Sequence, residues 1–358
     1  MPKPDRKQPL VVAAFDVVIN GTPLPGPAAA HVVSVTIDED LGLPGMFAVE
    51  LVGSEDQDED IPWIDDTDLF SIGNVVELKL GYGDDKASLI VGEITGIEPE
   101  FGVSRLPNVL VRGFDRLHRL QRGRRTRTFT QQKDSDIASQ VANDAGLIPD
   151  VEDSCVTHEY VAQANQTDLE FLRGRAARIN YEVAVDDKTL LFKPARNADS
   201  ALFTLKPDEG LLEFHPRLTS IGQANEVSVR GWSVKDKDTL IGQSRTGDEV
   251  STMGGQETGP ANAQGAFGDA VQTVSAWPIT SQAEADQIAK ARLNQVALSY
   301  ITGEGACQGR TDVRGGVVID IQGVGKRFSG SYYVTGVSHR YTSRRGYRTH
   351  FAVRRNAS

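Results

Sequence analysis

Apolar and polar residues alternate along much of this chain. In VVELKL, Val76, Leu78 and Leu80 share one face while Glu77 and Lys79 take the other, the period of two of a half-buried strand. Residues 9–20, 30–37 and 47–53 have the same β-branched texture and lie between turn-formers such as Asn20-Gly21 and Pro23–Pro27. A turn at Gly83-Asp84-Asp85 leads into runs at 88–101 and 108–115, so a meander is predicted. The runs 317–321, 331–342 and 347–355 predict a second meander near the C-terminus, and 226–232 one more strand.

Between the meanders the period becomes helical. Asp134 or Ser135 can cap a helix carrying Ile137, Ala138, Val141, Ala142 and Ala145 on one stripe, with Gly146 to stop it. Thr167-x-x-Glu170 is a capping box, followed by a stripe of Leu169, Leu172, Ala176 and Ile179. A hairpin around Asp186-Asp187 joins 181–185 to 189–194, which makes 130–195 a small α/β insert. Ser281-x-x-Glu284 opens a third helix with Ile288, Ala289, Leu293, Val296, Ala297 and Tyr300 on its apolar side. Residues 252–269, rich in glycine and poor in apolar anchors, are expected to form a long mobile loop.

The fold class expected is mainly β with an α/β insert (α+β): two duplicated tube-like antiparallel β-barrel domains plus smaller inserted domains. The ranges are 1–128 for the first barrel, 129–200 for the insert, 201–235 with 308–358 for the second barrel, and 236–307 for a loop-rich insert with one helix. If the last hairpin turns at Ser343–Gly346, His339 stands opposite His350 on a polar face with Thr335, Tyr341, Arg348 and Arg354. Tyr332, Val334, Tyr347, Phe351 and Val353 then face the core, and a one-residue slip would reverse the faces. Trp232 and Trp277 are expected to pack domains together, and Trp63 to anchor an interface.

The two meanders resemble each other. GNVVELKLGYG (73–83) and GGVVIDIQGVG (315–325) share five of eleven residues at a spacing of 242, VLVR (109–112) and FAVR (351–354) recur at 242, and ITGI and VTGV at 240. A β unit of about forty residues therefore occurs twice. Three copies of such a chain would present six similar units around a threefold axis, a means of joining a sixfold partner to a threefold one.

Charge and composition narrow the function. The net charge of −11 argues against a protein that coats nucleic acid. No apolar run approaches the ~20 residues of a membrane span, and two cysteines do not make a disulfide scaffold. The six histidines form no H-E-x-x-H, and G-x-S-x-G and Walker A motifs are absent, so no catalytic group, metal or cofactor is expected. Eight carboxylates between Glu55 and Asp68 read as a solvated surface loop without the glycine of a calcium loop. Arg112, Arg116, Arg119, Arg122, Arg124, Arg125 and Arg127 fall within sixteen residues. They are candidates, with Trp63, for a subunit interface in which arginine forks meet carboxylates such as those at 55–68. A solvated surface and a nucleic-acid contact are the alternatives.

Five segments, in order, resemble the phage late control protein D and VgrG-like hub proteins. They are VRGFDRLHRLQRGRRTRTF, DSDIASQVANDAGL, QTDLEFLRGRAARINYEV, NEVSVRGW and GVGKRFSGSYYVTGVSHRYTSRRGYRTHFAVRR. The resemblance implies a homotrimer whose paired barrels form a pseudo-sixfold ring. That ring joins the inner tube of a contractile tail to a threefold spike, within a particle assembled in the bacterial cytoplasm. Partners expected are the chain itself, a spike protein, an inner tube or tube-initiator protein and baseplate proteins, with no membrane insertion and no specific nucleic acid. The chain stops soon after the second meander, so the resemblance covers a hub half without fused spike. A tail-tip cell-wall hydrolase and the hub of a non-contractile tail are the other readings.

Overall fold

The computed structural model of the protein describes residues 12–53, 69–102, 105–233, 237–275 and 278–358. The acidic stretch at 55–68, Trp63 and Trp277 lie outside the described residues. The first β unit comprises β1 (Ala13–Ile19), β2 (Thr22–Pro23), a short helix α1 (Gly26–Ala30), β3 (Val32–Asp40), β4 (Met46–Val52), β5 (Val75–Tyr82), β6 (Asp85–Gly102) and β7 (Arg105–Asp115). The insert follows: a 3-10 turn at Arg116–Gln121, β8 (Arg125–Lys133), α2 (Asp134–Asp144), β9 (Ile148–Val151), β10 (Thr157–Gln166), α3 (Asp168–Arg178), β11 (Tyr181–Asp186) and β12 (Thr189–Pro194). The second β unit opens with β13 (Thr204–Leu205) and β14 (Leu211–Leu218). It is interrupted by β15 (Glu226–Ser233), β16 (Asp238–Arg245), α4 (Gly259–Phe267), β17 (Val271–Val274) and α5 (Gln282–Ala297). It resumes with β18 (Ile301–Gln308), β19 (Val318–Ile321), β20 (Gly330–Thr342) and β21 (Gly346–Arg355).

The fold is mainly β with small helical inserts, as the alternation predicts. Its two β units follow one pairing scheme. The first runs β1-β5-β6-β7-β4-β3 and the second β13-β19-β20-β21-β18-β14, with corresponding strands in the same chain order. Even the irregularities recur. Thr95 bulges out of the β6–β7 ladder as Thr335 does from β20–β21, and Val33 bulges from β3–β4 as Leu212 does from β14–β18. One difference is that β1 meets β5 antiparallel while β13 meets β19 parallel. The units join where β3 pairs with β20, making one thirteen-stranded sheet.

The ladders also correct the repeat spacing. Ile94 pairs with Gly113 as Val334 pairs with Val353, so both strands repeat at 240. Val75 pairs with Glu93 as Val318 pairs with Tyr333, so the first strand of the meander repeats at 243. The sequence match at 242 is thus two residues out of register in one strand and one in the other. Strands tolerate such drift because their connecting turns absorb it.

Large and small residues change places between the two cores. Phe47 faces Gly113 in the first unit; at the equivalent positions Gly303 faces Val353. Val49 faces Val111, and in the second unit Gly305 faces Phe351. A Cβ on Gly113 would lie 2.2 Å from the Phe47 ring, and one on Gly305 2.6 Å from the Phe351 ring. Each glycine leaves room for the aromatic ring opposite it, as close packing requires.

The last hairpin serves both cores. Its base contributes Val334, Phe351 and Val353 to the second core. Its tip contributes Tyr347 to the first, where Tyr341 packs on Phe15 at 4.8 Å and Tyr347 on Tyr82 at 5.9 Å. Here the expected register fails. Thr342 pairs with Gly346 across a three-residue loop, and His339 stands opposite Thr349 while His350 stands opposite Ser338. The Thr335 bulge shifts the parity of β20, so Val337, His339 and Tyr341 continue the inward face begun by Tyr332 and Val334. His339 is fully buried, and Tyr347 Oη lies 2.8 Å from its Nδ1. Burial, helped by the charge of Arg314, pulls its pKa down to about 3.

Unfolded His339 therefore binds a proton that the folded chain refuses. Stability should fall as the pH drops below about 6.5, by up to about 1.4 kcal/mol per pH unit from this residue. Relative to wild type, His339→Gln should show a shallower loss in urea denaturation between pH 6.5 and 4. Parallel curves would mean that the imidazole is not held neutral.

The insert has its own core, built from the predicted stripes of α2 and α3 with Val183, Leu190 and Phe192. The capping box of α3 is formed as read: Thr167 Oγ1 accepts from Glu170 N–H and Glu170 accepts from Thr167 N–H. For α2 the cap position is Lys133, whose N–H donates to Asp136, and Asp134 turns inward instead. The β11–β12 turn is Asp187-Lys188, one residue later than expected.

A third body interrupts the second β unit. Strand β15, expected in the second barrel, pairs instead with β16 and β17 in a sheet covered by α5. Strand β18, expected in the loop-rich insert, belongs to the second β unit. Nor is 252–269 wholly loop. Pro260 at the start of α4 suits a first turn. The chain before it is held by bonds to the C-terminal residues, Gly259 N–H to Asn356 O and Ser358 N–H to Glu257 O. Backbone pairing supplies the anchors that its side chains lack. Trp232, expected between domains, is 56% exposed.

Candidate functional site

The arginine-rich segment runs from the end of β7 through the 3-10 turn into β8, so it crosses the junction between the first β unit and the insert. Asp115 caps the 3-10 turn by accepting from Leu117 N–H and also accepts from Gly45 N–H. Burial pushes the Asp115 carboxyl up to about 7 in spite of these donors.

Six of the seven arginines have carboxylate partners in their own chain. Arg112 lies 3.4 Å from Glu98 on the outer face of the sheet, where both are exposed and the pair contributes little. Arg116 is buried between Glu93, at 3.3 Å, and Asp187 of the insert. Arg119 also grips Glu93, its Nε 2.9 Å from Oε2. Glu93 is itself buried on β6, so these two arginines tie the first β unit to the insert. Arg124 bonds Glu170 at 2.8 Å. Arg127 donates to Gln163, Asp144 and buried Asp168, and Arg125 lies 3.4 Å from Asp168. Arg122 is exposed and has no ion pair among the described residues.

A second charged cluster was not singled out from the sequence. Asp134 of α2, His158 of β10 and Arg175 of α3 meet Glu284 of α5 and Arg178 in a buried network between the insert and the third body. His158 Nε2 lies 3.3 Å from Asp134 and 2.8 Å from an Arg175 nitrogen, while Arg178 reaches Glu284 at 2.7 Å. Burial alone would raise Asp134, but the His158 hydrogen bond and the Arg175 charge outweigh it and hold the carboxyl below its usual range. Glu284 was visible as a capping residue; its second task could not be seen because its partners are more than a hundred positions away.

A cleft lies beside the junction, lined by the β3–β4 turn, the Leu89–Val91 segment of β6, strand β11 and Arg314. Arg314 closes one side by donating to Glu39 at 3.0 Å and to Leu89 O at 2.7 Å. These arrangements fasten bodies together by charge. Among the described residues, no group of three or more His, Cys, Asp or Glu could hold a metal ion, and no helix is long and apolar enough to cross a membrane.

This architecture, a duplicated antiparallel β unit with an α/β insert, is the fold of phage tail proteins. The 43 kDa tail protein of prophage MuSo2 from Shewanella oneidensis superposes with a TM-score of 0.70 at 11% identity, over 96% of this chain and 98% of that one. A tail protein from Neisseria meningitidis MC58 does so with 0.68 at 13% identity, over 96% of each chain. The E. coli c3393 protein, described as a component of the type VI secretion system with structural similarity to T4 bacteriophage tail proteins gp27 and gp5, gives 0.60 at 14%, over 96% of this chain and 77% of that one. The model of the Alg8 N-terminal domain matches residues 10–343, and the chain belongs to that family. No curated protein matches it.

Proposed function

We propose that the chain is the structural baseplate hub of a contractile phage tail or tail-like injection system, a homotrimer that adapts a sixfold inner tube to a threefold spike. The observation that carries this reading is the double use of one six-stranded pairing scheme within a single chain. A threefold assembly of such chains offers six equivalent β units to a tube and three to a spike. The fold it shares with tail proteins supports the same reading. The work of the protein is then geometric: it forms part of a channel and breaks no bond. Most of the arginines are engaged in holding the insert in place, which leaves Arg122 and the exposed Arg112, with Trp63, for contact with a neighbouring subunit or baseplate protein.

Light scattering on the purified chain tests the assembly. A mass near three times 38.8 kDa is expected. A chain that stays monomeric, alone and with the spike protein of its own particle, would overturn the hub reading.

A further inference from the structure

The last hairpin brings two arginines face to face on the outer side of the sheet. Arg340 of β20 stands directly opposite Arg348 of β21, and both are exposed. Side chains so placed have Cβ atoms about 4.5–5.5 Å apart, where like charges are destabilising. Acids are plentiful in a chain of net charge −11, yet neither arginine has an ion pair among the described residues. The same is true of Arg344 and Arg345 in the loop that joins the two strands. The pair is also oriented. Arg340 Nε donates to Ser338 Oγ at 3.0 Å, which leaves the terminal guanidinium nitrogens to face solvent. The cross-strand row continues into two neutral polar side chains, Gln308 of β18 beside Arg348 and Thr36 of β3 beside Arg340. Burial, joined by the charges of Arg340 and Arg348, holds the nearby His350 imidazole below its usual range in spite of Glu213.

From this we infer that Arg340 and Arg348 together form a site for a phosphate dianion, either the free ion or the end group of a monoester. The charge and the number of donors select this ligand. Each guanidinium offers a planar fork of N–H donors. A carboxylate has two oxygens, and one fork saturates them. A phosphate monoester carries about −1.5 to −2 charges and three acceptor oxygens, so it engages both forks and offsets both charges. A phosphodiester brings a single charge and leaves one arginine uncompensated. Beyond the pair the same face turns acidic, where Asp38, Asp40, Glu213 and Glu304 line a shallow groove with His350. A nucleic-acid strand laid across the sheet would meet those carboxylates within about a Debye length, ~10 Å, whereas a compact phosphate stays clear of them. The site lies within one chain and does not depend on the hub reading.

Isothermal titration calorimetry of the purified chain tests this, with the ionic strength held constant by sodium chloride and the pH well above the second phosphate pKa of about 6. Inorganic phosphate and phenyl phosphate should bind saturably at one site per chain, and dimethyl phosphate about tenfold or more weakly. Tighter binding of phenyl phosphate assigns the site to a monoester and the opposite order to the free ion; either supports it. Arg340→Gln and Arg348→Gln should each weaken phosphate binding about tenfold or more. Arg354→Gln, which changes another exposed arginine of β21, should bind as wild type does. In phosphate-free buffer both pair variants should unfold at a temperature equal to or above that of wild type, because the opposition of like charges is gone, and this separates a lost site from a lost fold. Absence of saturable phosphate binding would overturn the site, as would binding that both pair variants retain. Equal binding of dimethyl phosphate or of a DNA oligonucleotide would show general attraction of anions and overturn it too.

Discussion

Arg175→Ala should lower the unfolding free energy by about 3–5 kcal/mol, the cost of leaving a buried charge without its partner. Asp134 is 1% exposed, and Arg175, His158 and Glu284 are each below 10%. In the variant, Asp134 loses the guanidinium bonded to both its oxygens and keeps the His158 hydrogen bond, in a space too dry to solvate a carboxylate. The network spans α2, β10, α3 and α5, so the loss should also loosen the insert from the third body. Further ties across that boundary, Gln295 to Ala177 O at 2.6 Å and Gln287 to Ser154 O at 3.3 Å, are weaker and closer to solvent. Urea unfolding of Arg175→Ala, Asp134→Ala and the double variant forms a cycle. The double variant should cost well under the sum of the singles, because removing both ends removes the stranded charge. A loss below about 1 kcal/mol for Arg175→Ala would show that water reaches the cluster.

The second large effect concerns the duplicated core. Gly305→Val should destabilise the protein by about 2–3 kcal/mol, because the new Cβ would lie 2.6 Å from the Phe351 ring and 2.9 Å from the backbone oxygen of Glu213, the ring being the larger obstacle. Phe351→Val alone should cost about 2–4 kcal/mol by opening a cavity. Together they rebuild in the second unit the valine pair that Val49 and Val111 form in the first. The double variant should therefore recover most of the loss, with a coupling of about 1–3 kcal/mol in thermal unfolding. Additive losses would mean that the two cores are not packed equivalently, and would weaken the structural case for duplication.

The local structure was legible where a short-range pattern decides it. The stripes of α2, α3 and α5 and the Thr167–Glu170 and Ser281–Glu284 caps depend on neighbours three or four positions apart, and they form as read. The alternation of β5 was equally plain. Legibility ended at the bulges. One extra residue at Thr335 reverses the side-chain phase of the rest of β20; its local mark is Gly336 beside it, which the reading by alternation did not use, so His339 was placed on the wrong face. Helix α4 was missed because its anchors are backbone groups of the chain's own last residues, which a reading by side-chain type does not detect. Arginines 112–127 were seen as a group, but their partners Glu93, Asp144, Asp168 and Asp187 lie scattered among many other acids. Sequence spacing cannot choose among those acids.

By itself, then, the sequence determined the element types, the presence of a repeated β unit and the acidic character of the chain. Those properties follow from local periodicity and composition, which need no knowledge of what lies across a sheet. Tertiary structure decided the register of the repeat, the exchange of large and small residues between the two cores, and which carboxylate each arginine holds. Each of these depends on pairings between residues tens to hundreds of positions apart, where one slipped residue reverses every face that follows.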